Sequence, residues 1–327
     1  MNEPVLLGEG ADQVVELVRE RVRAENQGPF EDGRRLGLVL EGGGMKAAAS
    51  AGGALALGHL GAGEVFDDVY ATSAAVMNAS YLLSGQGDLG IHIYFEDLID
   101  ERFFHPMRLW KVLDVEFVTE VIAKESKPLD CQGVLDAFPD LHVAVMDRDT
   151  AEPAMLHVGT TDAPLLDILH AAMAIPVFYN RSVSIEGRRF VDGGLKIPFP
   201  IEAAIKDGCT DILVLLSHSQ DYFHPAPVWW QKALFRTLFS GGNTPVSDAF
   251  AFHHLVSRDL RDLVLGRTKR PEGVNVFTIC CPESVSLGTT TKDRSRLKQG
   301  ATEYGRATLQ AFGCEDWASW EIGPSLQ

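Results

Sequence analysis

Cysteine is scarce in this 327-residue chain: Cys131, Cys209, Cys280, Cys281 and Cys314 are the full set. None stands in a C-x-x-C spacing and the number is odd, which argues against a zinc site or a disulfide framework. Buried free thiols in a reducing compartment are the expectation. Basic charge is also short, with 29 Lys and Arg against 45 Asp and Glu and a net charge of -16. That balance argues against non-specific nucleic-acid binding and against simple attraction to anionic membranes. Long apolar runs are missing, so no membrane span is expected. Glu3, Glu9, Asp12 and Glu16 interrupt the N-terminus and leave no signal-peptide pattern, so a soluble cytoplasmic protein is expected. There is no internal repeat, no low-complexity tract and no Walker pattern.

Hydrophobic residues make up 46% of the chain and charged residues 23%, enough to bury a sizeable core. Residues 1–35 read as an N-terminal helical appendage and linker. Val14, Val15, Val18 and Val22 recur at helical spacing there, and a polar Pro/Gly segment follows from Gln27 to Gly33. The remainder, 36–327, reads as one domain. From Leu36 a strand, turn, helix pattern repeats. Strands are expected over 36–40, 66–70, 141–146, 211–216 and 274–279. Helices are expected over 45–60, 74–84, 164–173, 200–206, 248–265 and 294–312. Such alternation predicts an α/β layered fold with a mostly parallel central sheet flanked by helices, and a site at the strand C-terminal ends. The aromatic and charged segment 91–128 breaks the alternation and reads as a helical insertion. Trp230, Leu234, Phe235, Leu238 and Phe239 form an apolar stripe opposite Gln231, Lys232 and Arg236. A helix lying on the sheet explains the stripe, and a lipid-facing helix is the sharper alternative.

Three short motifs carry chemistry. The first is Gly42-Gly43-Gly44-Met45-Lys46 between a strand and a helix. Consecutive glycines let backbone N–H groups approach a ligand, and a helix N-terminus stabilises a negative oxygen. A phosphate fits, since Gly42, Gly44 and Ala47 loosely match a dinucleotide pattern. The oxyanion of an acyl transfer also fits. The second motif is Ala71-Thr72-Ser73-Ala74-Ala75 at another strand-to-helix turn, the layout of a nucleophile elbow. Read alone, Ser73 is an ordinary helix cap. The third is Asp192-Gly193-Gly194, which read alone is a turn. His253 and His254 read as surface or core residues of a helix, and Thr289-Thr290-Thr291 as a loop and cap.

In this order the trio resembles the patatin-like phospholipase family, whose pattern is G-G-G-x-[RK]-G, then G-x-S-x-G, then D-G-[GA]. Leu38-Val39-Leu40-Glu41 before the glycines, Asn78-Ala79 after the serine and Ala174-Ile175-Pro176 before the aspartate strengthen the resemblance. It spans about residues 36–216. It implies a Ser–Asp dyad: Ser73 as nucleophile, Asp192 as base, and an acyl-enzyme cleaved by water. It further implies an oxyanion hole among Gly42, Gly43, Gly44 and Met45, with Lys46, Gly193 and Gly194 in support. The implied substrate is a phospholipid or related acyl ester, reached by transient contact with a membrane surface, with no metal or organic cofactor. A normal aspartate, with a pKa of about 3.9, is a feeble base, so burial must raise it. The chain departs from the family pattern at Ala47, Ala71 and Ala75, where glycine is usual. An added methyl group at a crowded turn costs about 1–3 kcal/mol. A catalytically impaired protein of the same fold that binds an acyl group or a partner is therefore the alternative reading.

Overall fold

The computed structural model describes residues 10–24, 28–105, 107–108, 112–176, 178–179, 181–238 and 244–325. Helix α1 (Ala11–Arg23) precedes β1 (Leu36–Leu40), α2 (Ala47–His59), β2 (Asp68–Thr72) and α3 (Ala75–Leu83). The short α4 (Gly87–Gly90), two π-helical stretches at Ile93–Asp97 and Phe117–Ser126, and α5 (Cys131–Asp136) follow. Then come β3 (Asp140–Asp147), β4 (Pro153–His157), α6 (Leu165–Met173), β5 (Val183–Ile185) and β6 (Arg188–Asp192). The chain continues through α7 (Ile201–Lys206), β7 (Asp211–Leu215), α8 (Trp229–Leu238), α9 (Thr244–Val264), β8 (Asn275–Ile279) and α10 (Arg294–Ala311).

The sheet order is β5-β6-β3-β2-β1-β7-β8, with β4 paired to β3. Strands β3, β2, β1, β7 and β8 run parallel, while β4, β5 and β6 pair antiparallel. Central strands of a parallel sheet are covered on both faces and so read as continuous apolar runs. β1 (LGLVL) is buried at every position. Its alternate side chains divide between two cores. Leu36, Leu38 and Leu40 join residues of α2, α3 and α10 on one face. Val39 and Tyr70 join Ile201 and Ala204 of α7 with Leu260 and Val264 of α9 on the other.

The small-residue run of α2 has a packing cause. A Cβ on Gly52 would lie 1.9 Å from the Ala301 carbonyl oxygen, and one on Gly53 would lie 2.6 Å from the Tyr304 ring. Only glycine permits α2 and α10 to approach this closely. That fixes α2 over the sheet with its N-terminus beside the end of β1. Helix α1 also belongs to the first core through Val14, Leu17 and Val18. Its buried Arg21 pairs with Asp32 and Asp67, each at 2.8 Å. All five cysteines are free, and Cys209, Cys280 and Cys281 are buried. Among the described residues, no helix is long and apolar enough to cross a membrane.

The expected helix around the apolar stripe forms, and it meets the sheet through Phe235, which joins Met146 of β3 and Val191 of β6. Of the described side chains of α8, only Phe235 is buried, and Trp230 and Leu234 face solvent. Phe239 and the Leu238 side chain lie outside the described residues.

Candidate active site

Strand pairing brings the three motifs together. β4 takes one edge of β3 along His142–Met146. β2 therefore pairs with the opposite edge, over Asp140–Ala144. β6 takes up that same edge where β2 leaves it, pairing Asp192 with Val145. The end of β6 thus faces the end of β2, and Asp192 arrives beside Ser73. Gly193 is required for this junction, because a Cβ there would lie 2.7–2.8 Å from the backbone of Ala144 and Val145.

Ser73 occupies left-handed backbone space, with φ 55. Such a conformation is costly for a side-chain-bearing residue and holds the hydroxyl out of the turn. Ala47, Ala71 and Ala75 are fully buried around it, so the turn forms with the alanines in place. The crowded contact lies elsewhere. A Cβ on Gly42 would come within 2.8 Å of the Ser73 Cβ and 3.0 Å of the Thr72 carbonyl oxygen. Asn78 Nδ2 donates to the Ala47 carbonyl at 3.0 Å, and Tyr94 Oη donates to Asn78 Oδ1 at 2.9 Å. These bonds tie the helix after the serine to the helix after the glycines.

Ser73 Oγ donates to Asp192 Oδ2 at 2.5 Å, and the Gly194 amide donates to Oδ1 at 2.7 Å. Both side chains are buried. Burial pushes the Asp192 carboxyl up to about 6, against the opposite pull of the Ser73 and Gly194 donors. The expected donor loop narrows. The Gly42 amide donates to the Pro198 carbonyl at 3.4 Å, and the Met45 amide to the Thr289 carbonyl at 3.0 Å. The amides of Gly43 and Gly44 have no such partner among the described residues. Gly44 has φ 58, and a Cβ there would meet Thr289 at 2.8 Å. Lys46 stands apart from the dyad, with Nζ over the Tyr222 ring at 4.3 Å. Burial lowers its pKa.

Two cavities meet at Ser73. The larger, about 190 Å³, is lined by Glu41, the three glycines, Ser73, Asp192 and a wall of His218, His224 and His253. The smaller, about 40 Å³, is apolar, with Met77, Ile93, Leu98, Phe103, Val118 and Met173 among its lining. Glu41 is a second buried carboxylate in the larger cavity. Arg261 Nη2 donates to its Oε1 at 2.9 Å, and the His218 amide to its Oε2 at 3.1 Å. His218 Nδ1 lies 3.1 Å from the same oxygen but is misaligned for a hydrogen bond. Burial opposes charge on Glu41, yet His218 and Arg261 together hold its carboxyl down at about 2. Burial pushes the His224 imidazole down to about 3 and lowers His253 as well. Among the described residues, no cluster of His, Cys, Asp or Glu is arranged to hold a metal ion.

Sequence reasoning missed His218, His224, Arg261 and Thr289 as site residues. His253 was read as surface or core and instead lines the cavity. No local motif marks them: His218 and His224 lie in the loop between β7 and α8, His253 and Arg261 on α9, and Thr289 in the loop before α10.

The family model for patatin-like phospholipase matches residues 38–205, more than half of the chain. The chain belongs to the patatin-like phospholipase family. That membership supports a lipid ester hydrolase. The matched region ends shortly after Asp-Gly-Gly, so His218, His224 and His253 lie beyond it. The chain is 27% identical to YjjU of Escherichia coli (strain K12) over 273 residues, which is 80% of this chain and 73% of that protein. Among solved structures, human GIVD cytosolic phospholipase A2 in complex with methyl gamma-linolenyl fluorophosphonate and terbium chloride is 12% identical with a TM-score of 0.49. That match covers 97% of this chain and 66% of the other. VipD from Legionella pneumophila is 14% identical with a TM-score of 0.41, covering 96% of this chain and 70% of the other.

Proposed function

We propose that the protein is a serine acyl hydrolase cleaving carboxylic esters of a phospholipid or related lipid through Ser73 and Asp192. The observation that carries this reading is the 2.5 Å bond from Ser73 Oγ to a carboxylate whose pKa is about 6. A base poised near the working pH accepts a proton readily and returns it readily. Asp192 takes the hydroxyl proton as Oγ attacks the ester carbonyl carbon. The negative oxygen of the tetrahedral intermediate is held by the amides of Gly43 and Gly44, whose orientation is fixed before substrate arrives. Collapse expels the alcohol, which takes the proton back from Asp192. Water gives a proton to Asp192 as it attacks the acyl-enzyme carbonyl; collapse breaks the bond to Ser73 Oγ, which takes that proton back from Asp192, and the carboxylic acid leaves.

The two cavities divide the substrate. The apolar one receives the acyl chain. The larger, histidine-walled cavity receives the alcohol portion. With His224 pushed down to about 3 and His253 also lowered, these two side chains offer neutral hydrogen-bonding groups at neutral pH. The testing experiment follows turnover of p-nitrophenyl butyrate and fatty-acid release from phosphatidylcholine in parent and Ser73→Ala. The hydrolase reading expects loss of about 10³-fold or more in the variant. Equal turnover in both proteins would end it.

A further inference from the structure

We propose that the outer face of α8, with Phe223 and Phe252, is a docking surface for a zwitterionic lipid bilayer that delivers substrate to the mouth of the Ser73 cavity. The inference rests on the lipid-ester reading above.

Helix α8 is apolar on the side that should be polar. Trp229 is 80% exposed, Trp230 51% and Leu234 48%. At 3.6 residues per turn, Trp229, Ala233, Trp230 and Leu234 fall within an arc of about 140°, interrupted only by Thr237. Phe235 projects the other way and stacks on Phe250 of α9 at 4.3 Å. It sits in a small core with Met146 of β3 and Val191 of β6. The anchor of α8 therefore rests on the strand ends that carry Asp192. Lys232 and Arg236 border the exposed arc beside Trp229. Cations at that margin keep their charge in water while their stems lie along an apolar layer.

Two further exposed aromatics are chain neighbours of cavity-lining residues. Phe223 is 49% exposed and Phe252 56%. Their chain neighbours, His224 and His253, line the cavity wall. A surface that takes up these aromatics therefore engages the same segments that wall the cavity. Tryptophan pairs suit the headgroup boundary of a bilayer, where an apolar ring and a polar N–H are both accommodated. The net charge of -16 opposes anionic surfaces, so insertion of aromatic side chains into an uncharged surface is the favoured mode. This chemistry favours a bilayer over a protein partner.

The test uses the full chain and phosphatidylcholine vesicles in a flotation assay, with intrinsic tryptophan fluorescence as a second readout. The parent is expected to float with the vesicles and to shift its emission to shorter wavelength. Trp229→Ser with Trp230→Ser should lower partitioning at least tenfold and keep p-nitrophenyl butyrate turnover within twofold. Leu234→Glu, which changes one exposed position, should lower partitioning in the same direction. Three results would overturn the proposal: a parent that stays with the soluble fraction, a double variant that floats as well as the parent, or self-association of the parent in place of flotation that the double variant abolishes. Flotation is read independently of turnover. A chain that floats without cleaving any ester counts against the hydrolase reading, whereas one that cleaves the soluble ester without floating counts against the docking face.

Discussion

Glu41 and Asp192 line the same cavity and are both buried, yet their environments drive them in opposite directions. Glu41 has Arg261 at 2.9 Å and His218 at 3.1 Å, and these outweigh its desolvation, so its carboxyl sits at about 2. No cation pairs with Asp192 among the described residues; burial dominates, and its carboxyl sits at about 6. A carboxylate held charged by a cation is a structural element. One that is buried with only neutral donors stays near the point of exchanging a proton. Separated pKa values in one site are how two carboxylates take different roles. Glu41 orders the histidine wall through its bond from the His218 amide, whereas Asp192 accepts from Ser73 and, in the proposed mechanism, is its base.

Removing each carboxylate breaks the comparison most sharply. Asp192→Asn leaves Ser73 without a base and should lower kcat by about 10²–10⁴-fold. Steady-state turnover of p-nitrophenyl butyrate measures it, with a melting curve to confirm folding. Glu41→Gln should act on stability. It leaves Arg261, itself 1% exposed, as a buried unpaired cation, at a cost of about 3–5 kcal/mol. Urea unfolding at pH 7 reads this directly. A loss under 1 kcal/mol would show that water or another partner satisfies Arg261 when Glu41 is gone.

The pH dependence sharpens the same contrast. Asp192 must be charged to accept a proton, so kcat/KM should rise about tenfold per pH unit below about 6 and then level off. The stability terms have opposite signs. The folded pKa of Asp192 lies above its unfolded value, so its contribution is present below the unfolded pKa near 3.8 and is lost as pH rises through about 6. The folded pKa of Glu41 is depressed, so its contribution is present above about 4.5 and is lost as pH falls towards about 2. A kcat/KM profile flat from pH 5 to 8 would contradict the assignment of Asp192 as base. The smallest effect is expected from His253→Ala. This residue lines the cavity and lies at 3.3 Å from the Leu195 carbonyl, away from the dyad's hydrogen bonds. KM should rise by about fivefold, near 1 kcal/mol, with kcat and the pH midpoint unchanged.

The central sheet was legible because its strands are buried on both faces and read as uninterrupted apolar runs, as in Leu36–Leu40 and Asp211–Leu215. The antiparallel strands β4, β5 and β6 were not expected. They are three to five residues long with mixed exposure, so neither an apolar run nor a clean alternation marks them. The segment 91–128 was expected to be helical, and its two π-helical stretches follow a wider turn than a 3.6-residue period detects. Gly42–Gly44, Ser73 and Asp192 were visible because each acts within a local turn. The crowding expected from Ala71 and Ala75 did not prevent the left-handed Ser73 turn. Arg261, His218 and His224 were not visible, since their role depends on which strand end each loop reaches. α8 left two readings open for a related reason. Its apolar residues cover more than one side of the helix, and only contact with Phe250 tells which side turns inward.

In the proposed mechanism Ser73 Oγ is the atom that becomes acylated. Incubation of the full chain with a short-chain fluorophosphonate, followed by digestion and mass spectrometry, tests this most directly. One adduct is expected, on Ser73, with labelling slowed about 10²-fold or more in Asp192→Asn and absent in Ser73→Ala. An adduct on another residue, or undiminished labelling of Ser73→Ala, would contradict it.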